Sequence, residues 1–180
     1  MFRRYLSANH FSNIVKMKTI VLVRHSNAED GNYKLKDFYR KLTPKGLRKA
    51  EKISGMCMSF YQPASTVFYS SSAPRALETS EIFAETLNYK KENISASEFL
   101  YYGFTPEEFL ADLMQFNNYE TVWVFGHNPM MTEVYNFFTN RETESFPKCM
   151  VVAISFDVES FNKITENSGK AVFLINPKVI

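Results

Sequence analysis

The sequence is poor in the features that mark several specialised classes of protein. It has two cysteines, Cys57 and Cys149, among 180 residues, and neither lies in a CxxC pattern or near a histidine cluster. This spacing argues against a disulfide framework or a cysteine-based metal site and predicts two buried, reduced thiols. The net charge of +2 is too small to indicate a nucleic acid or an anionic membrane surface as partner.

Long apolar runs are also missing. No segment has the length that a membrane span needs, and Arg3 and Arg4 are not followed by the apolar region of a signal peptide. Met17 directly precedes the first predicted strand, so residues 1–16 are either a flexible N-terminal extension or untranslated, with Met17 as the true start. Without repeats, low-complexity tracts or linkers, residues 17–180 are expected to form a single domain, by default in the cytoplasm.

Three buried strands organise the rest of the chain. Thr19–Val23, Thr66–Tyr69 and Thr121–Phe125 are continuous apolar runs, typical of strands covered on both faces, and a helical pattern follows each. At the C-terminus, Val151–Val158 and Ala171–Ile175 have no helix between them, which predicts an antiparallel hairpin. The expected fold is a three-layer α/β/α sandwich with a mostly parallel central sheet and this hairpin at its edge.

Cations and imidazoles follow these strands. Arg24 and His25 end the first, Arg75 begins the helix after the second, and His127 follows the third. Ligands of open α/β sheets bind at the carboxyl ends of the strands, so these side chains are expected to lie together. Guanidinium groups and helix N-termini suit phosphate. An imidazole can attack phosphorus, and a second can stabilise the oxygens.

Four blocks of the chain also match a known family in order and spacing. They are Arg24-His25-Ser26-Asn27-Ala28-Glu29, Asp37-x-x-Arg40-x-Leu42-Thr43-x-x-Gly46, Ser72-Ala73-x-Arg75-Ala76-x-x-Thr79 and Gly126-His127-Asn128-Pro129. Together they resemble the histidine phosphatase superfamily and its small SixA-like branch, from Lys18 to about Phe138. The resemblance implies the phosphoglycerate mutase-like fold.

The resemblance also implies roles for individual residues. His25 would be the nucleophile that becomes phosphohistidine, and Arg24, Arg75 and His127 would complete the phosphate pocket. Two further candidates for phosphate or structural contacts are Ser26 and Asn128. No metal or organic cofactor is implied, since the histidines lack the HxxH-type spacing and clustered carboxylates of metal sites.

The chain departs from the family pattern at two points. Ser26 stands where glycine is most common, and no carboxylate has a consistent position as proton donor to the leaving group. Asp37 is the favoured candidate, with Glu29 and Glu98 as alternatives; equally, Asp37 pairs with Arg40 as a solvated brace of the loop. Phosphohistidine lessens the need for an acid, because imidazole is a better leaving group than an alkoxide.

These observations lead to a phosphatase that removes phosphate from protein phosphohistidine. Between Leu87 and Thr121 there is no long insertion that could form a lid over a metabolite, so the pocket is expected to admit a side chain of a partner. A phosphatase for small phosphoesters is the nearest alternative, and a mutase would need a closed lid. A module that binds phosphate or a phosphoprotein without turnover is a third possibility. The expected partner is thus a phosphorylated protein or small molecule, not a nucleic acid or a membrane.

Overall fold

Strands and helices alternate along the computed structural model, which describes residues 17–31 and 36–180. The expected extension, residues 1–16, lies outside the described residues. The strands are β1 (Lys18–Arg24), β2 (Thr66–Ser71), β3 (Ser95–Ser97), β4 (Thr121–Gly126), β5 (Val151–Phe156) and β6 (Lys170–Ile175). The α-helices are α1 (Pro44–Met56), α2 (Pro74–Thr86), α3 (Phe99–Tyr102), α4 (Pro106–Leu113) and α5 (Met130–Thr139).

The strands form one sheet in the order β3-β2-β4-β1-β5-β6. Neighbours from β3 to β1 are parallel, whereas β5 runs antiparallel to both β1 and β6. This confirms the mostly parallel sheet and the antiparallel C-terminal edge hairpin. The parallel register sets Arg24 of β1 opposite Gly126 of β4, so the segments that follow both strands start at the same level.

Each face of the sheet carries its own core. Ile20 and Leu22 pack in a cluster with α4 and α5, while Val21 and Val23 pack in a second cluster with α1 and α2. Successive side chains of a strand point to opposite faces, so an uninterrupted apolar strand requires helices on both sides. The three-layer α/β/α arrangement is therefore confirmed. No helix in residues 17–31 and 36–180 is long and apolar enough to cross a membrane.

Local signals in the sequence explain where two of the helices begin and end. The stretch Thr105-Pro106-Glu107-Glu108 is typical of a capping box, and in α4 the side chains of Thr105 and Glu108 each accept from the other's backbone N–H. Apolar residues recur at helical spacing from Leu47 to Phe60, but α1 ends at Met56 and the chain continues as a turn. Leu47 is 39% exposed and does not belong to the core.

Candidate active site

The two histidines meet at the carboxyl edge of the sheet. The backbone N–H of His25 donates to the carbonyl of Gly126 at 3.0 Å, which ties the ends of β1 and β4 together. The ring centroids of His25 and His127 are 5.1 Å apart, and both side chains are largely buried. The structure therefore brings together two residues that are about a hundred positions apart in sequence.

The contacts of His25 define its tautomer. Its Nδ1 lies 2.7 Å from the carbonyl oxygen of Ser26. A carbonyl oxygen only accepts, so Nδ1 carries the proton and Nε2 keeps its lone pair. The pKa of His25 is lowered to about 3, mainly by burial. The hydrogen bond to the Ser26 carbonyl raises this pKa, whereas the charges of Arg75 and Arg24 lower it further. The imidazole is neutral at pH 7 and can act as a nucleophile.

His127 is neutral for the same reasons. Burial, followed by the nearby His25 and Arg75, lowers its pKa to about 3. Its Nε2 lies 2.9 Å from the hydroxyl oxygen of Ser71, which also accepts from the N–H of Ala73 at 3.3 Å. The Ser71 hydroxyl proton can donate to Nε2, and in that arrangement the proton of the neutral His127 ring is on Nδ1. This Nδ1 is buried and has no partner among the described residues.

Two arginines supply positive charge beside the histidines. Arg24 donates from Nη1 to the carbonyl of Phe146, and burial lowers its pKa. Arg75 is 4% exposed and is held by Asp37, with Nη1 2.6 Å from the Asp37 carbonyl and Nη2 2.8 Å from its carboxylate. The Nε of each arginine is buried and unpartnered within the described part of the chain. Each guanidinium is therefore held by contacts with the protein and keeps its Nε–H as a donor available to a ligand.

The carboxylate of Asp37 lies between two cations. It bonds Arg40 at 2.6 Å as well as Arg75, so the predicted brace to Arg40 is present and a second ion pair reaches the site. Partial burial raises the pKa of Asp37, but the hydrogen bond from Arg40 and the charge of Arg75 outweigh it and hold the pKa below its usual value. Asp37 is ionised in this arrangement. Of the alternatives, Glu29 accepts from the N–H of Lys41, and Glu98 is exposed.

Ser26 and Asn128 bond to neighbouring segments of the protein. The Ser26 hydroxyl donates to the carbonyl of Gly46 at 2.8 Å. The Asn128 amide donates to the Ser145 hydroxyl at 2.8 Å and to the Phe146 carbonyl at 3.2 Å. Pro129 occupies the N-cap position of α5, so the Asn128 side chain does not cap this helix and bonds the segment before β5 instead. Both side chains hold the walls of the site in this structure.

Glycine is required where α1 approaches the loop after β1. A Cβ on Gly46 would lie 1.9 Å from the backbone oxygen of Asn27, which is a severe clash. The same oxygen accepts from the N–H of Thr43 at 3.0 Å, and the Thr43 hydroxyl accepts from the Gly46 N–H as the cap of α1. The Thr43-x-x-Gly46 spacing thus allows the first turn of α1 to pack closely against the segment that carries His25.

Comparison with known proteins identifies the fold. No protein-family model and no curated protein matches the sequence. SixA from Agrobacterium tumefaciens is similar at 20% identity, with a TM-score of 0.70 over 89% of this chain and 98% of that one. SixA described as a protein histidine phosphatase complexed with tungstate is 19% identical, with a TM-score of 0.67 over 89% and 98%. The chain has the phosphoglycerate mutase-like fold of the histidine phosphatases.

A structure described with a different substrate has a similar fold. A mycobacterial glucosyl-3-phosphoglycerate phosphatase is 12% identical, with a TM-score of 0.60 over 87% of this chain and 97% of that one. Such low identities establish the fold and not the substrate.

Two side chains that the sequence did not predict also lie at the candidate site. Ser71 contacts His127, as described above. Tyr101 in α3 lies edge-on to the His127 ring at 5.7 Å, and its hydroxyl is 3.2 Å from the Asp37 carboxylate. The serines at the end of β2 were the signal in the sequence for Ser71, whereas nothing in the sequence around Tyr101 indicates that α3 reaches the site. In the described residues no group of three or more His, Cys, Asp or Glu side chains could hold a metal ion.

Proposed function

We propose that the chain is a histidine phosphatase that works without a metal ion through a phosphohistidine intermediate and removes phosphate from protein phosphohistidine. Residues 17–180 are its single domain, and the cytoplasm is its location, since two buried unpaired thiols suit a reducing compartment. The observation that carries the proposal is the 2.7 Å contact of His25 Nδ1 with the Ser26 carbonyl, because it leaves a buried, neutral Nε2 as the nucleophile.

The reaction proceeds in two displacements. His25 Nε2 attacks phosphorus, a new P–N bond forms, and the P–N bond to the substrate imidazole breaks, with a proton taken up from solvent by the departing nitrogen. Water then attacks phosphorus, gives its proton to solvent, and breaks the bond to Nε2, which releases phosphate and restores neutral His25. Arg24, Arg75 and the Nδ1–H of His127 stabilise the charge on the phosphoryl oxygens in both steps.

The state of Asp37 favours a phosphohistidine substrate over an ester. Its carboxylate is paired with Arg40 and Arg75 and is ionised, so it carries no proton for a departing alkoxide. A departing imidazole depends less on a proton donor than a departing alkoxide does. Because one P–N bond replaces another, the free energy of this step is close to zero. The likeness to structures described as SixA supports the same substrate class.

A phosphatase for small phosphoesters is the second candidate. The likeness to a phosphatase for glucosyl-3-phosphoglycerate supports it, because the same fold accommodates that substrate. In a phosphate-binding module, by contrast, the nucleophile would serve no purpose, and here His25 is present with its lone pair available.

The test is hydrolysis of a phosphohistidine protein and of an aryl phosphate by wild type and His25→Ala, with a chelator present. Turnover of phosphohistidine that is lost in His25→Ala, with poor activity on the aryl phosphate, is the expected result. Preference for the aryl phosphate would favour the small-molecule phosphatase. Binding of phosphate without hydrolysis of either substrate would favour the binding module.

A further inference from the structure

A basic pocket lies beside the candidate active site and shares Arg24 with it. It has a volume of about 300 Å³ and lies between α1, the segment that precedes β5 and the C-terminal segment. Its cationic lining consists of Arg24, Lys49, Lys148 and Lys178. No carboxylate lines it, and the three lysines form no ion pair within the described residues. So many cations around one pocket favour an anion as its occupant.

The charges of this pocket repel one another. Burial lowers the pKa of Lys148, and the charges of Arg24, Arg40 and Lys49 lower it further, while the charge of Asp30 acts in the opposite direction. A bound carboxylate would relieve this repulsion. Arg24 also keeps a buried Nε without a partner among the described residues. The cluster is therefore complementary to negative charge.

The pocket is coupled to the nucleophile. The charge of Lys148 is among those that lower the pKa of His25, so the two groups lie within electrostatic range of each other. Arg24 belongs to both sites, since it directly precedes His25 in the chain and lines the basic pocket. An anionic group of the substrate that binds in this pocket would therefore lie beside the phosphoryl group that His25 attacks.

We propose that Lys49 and Lys148, together with Arg24, form a second anion subsite that binds a carboxylate of the phosphorylated protein, from an acidic residue beside its phosphohistidine. This inference rests on the proposed function, which it extends to the choice of partner. Lysine ammonium groups are point charges on flexible stems, suited to a carboxylate whose position varies, whereas a fixed second phosphate would favour the bidentate fork of arginine. The subsite selects among phosphohistidine proteins by their acidic surroundings.

The experiment compares two phosphohistidine peptides of equal length. One carries Asp and Glu around the phosphohistidine, and the other carries Asn and Gln at the same positions. Wild type, the double variant Lys49→Ala/Lys148→Ala and the control Lys90→Ala are assayed for hydrolysis of both peptides. Lys90 is an exposed lysine near the opposite end of the sheet, after α2. Thermal unfolding of each variant checks that the fold is intact.

Wild type and Lys90→Ala are expected to prefer the acidic peptide about tenfold, mainly through a lower KM, and the double variant to lose the preference. High salt should weaken the preference of wild type but not the residual activity of the double variant. Equal rates of wild type on both peptides, or a preference that survives in the double variant, would overturn the subsite.

Failure of the proposed function has a different signature. If wild type hydrolyses neither peptide, the proposed phosphohistidine phosphatase activity is contradicted. The subsite is then tested separately, by measuring the affinity of the His25→Ala variant for the two peptides. Tighter binding of the acidic peptide that depends on Lys49 and Lys148 would support it. Equal affinity for the two peptides would overturn the subsite. A dependence on Lys49 and Lys148 that is seen only with a small molecule carrying two phosphates would overturn it as well.

Discussion

The Asp37 carboxylate lies 2.8 Å from Nη2 of Arg75, while the Asp37 carbonyl accepts from Nη1 of the same guanidinium at 2.6 Å. Two contacts from one loop residue therefore fix the orientation of a cation that is almost fully buried. Guanidinium groups bind phosphate best in a defined plane, so under the proposed function the loop before α1 holds Arg75 in the orientation that the phosphoryl group requires. We therefore expect Asp37 to be a positioning residue for Arg75.

The Asp37→Asn variant separates positioning from proton donation. Loss of the charged contact to Arg75 is expected to lower kcat/KM by about tenfold on phosphohistidine and aryl phosphate alike. The control is Tyr101→Phe, which removes the hydrogen bond between the Tyr101 hydroxyl and the Asp37 carboxylate and keeps the ion pair with Arg75, so its loss of activity should be smaller. A selective loss of ester hydrolysis in Asp37→Asn would instead identify Asp37 as the proton donor.

The two glycines of α1 form a matched pair. Gly46→Ala is expected to destabilise the protein by more than about 2 kcal/mol and to lower activity, because its Cβ overlaps the Asn27 carbonyl oxygen. Gly55→Ala meets nothing within 4 Å and should stabilise the helix by about 0.5–1 kcal/mol. Urea unfolding and a phosphatase assay on both variants check this. Equal behaviour of the two would refute the close approach at Gly46.

The hydroxyl of Ser71 is expected to set the tautomer of His127. Ser71→Ala removes the partner of Nε2 and should lower kcat/KM by about ten- to a hundredfold, with little change in substrate binding. Ser70→Ala is the control, since within the described residues the Ser70 hydroxyl bonds the carbonyl of its neighbour Ser71 and no group of the site. An NMR spectrum of the ring nitrogens should report protonation of His127 at Nδ1 in wild type. Protonation at Nε2 would contradict the assignment.

Protein stability should depend on pH through the two histidines. Burial lowers the pKa of His25 and of His127 to about 3, so below the unfolded value of about 6.5 the unfolded chain binds protons that the folded chain does not. The free energy of unfolding therefore falls as the pH drops, by up to about 1.4 kcal/mol per pH unit for each histidine. Between pH 6.5 and 5, His25→Ala should lose stability less steeply than wild type. Identical slopes in urea unfolding would show that His25 is not buried in its neutral form.

Much of the fold was predictable because strand patterns and helix caps are local signals. The apolar runs of β1, β2 and β4 require helices on both sides, and a chain of this length then has few topologies available. The placement of Arg24, His25 and His127 at one edge followed from the same rule, because each stands where a parallel strand ends. The structure brings them together as the sequence indicated.

The parts that could not be predicted depend on long-range contacts. The bond from Arg24 to the Phe146 carbonyl joins positions 122 residues apart, and nothing near Phe146 marks it as a partner. Tyr101 reaches Asp37 across 64 residues from a four-residue helix. The role of Asp37 could not be decided from the sequence. Whether its carboxyl group donates a proton or forms a structural ion pair depends on how close Arg75 lies to it. Such contacts are set by packing of the whole fold.

The most direct test of the account is to trap the phosphoryl group on the enzyme. After rapid mixing with a phosphohistidine protein, phosphorus NMR and mass spectrometry of the quenched enzyme should find acid-labile phosphate on Nε2 of His25, because Nδ1 is occupied by the Ser26 carbonyl. His25→Ala should carry none. Phosphate on Nδ1, phosphate on another residue, or turnover without any phosphoenzyme in wild type would contradict the account.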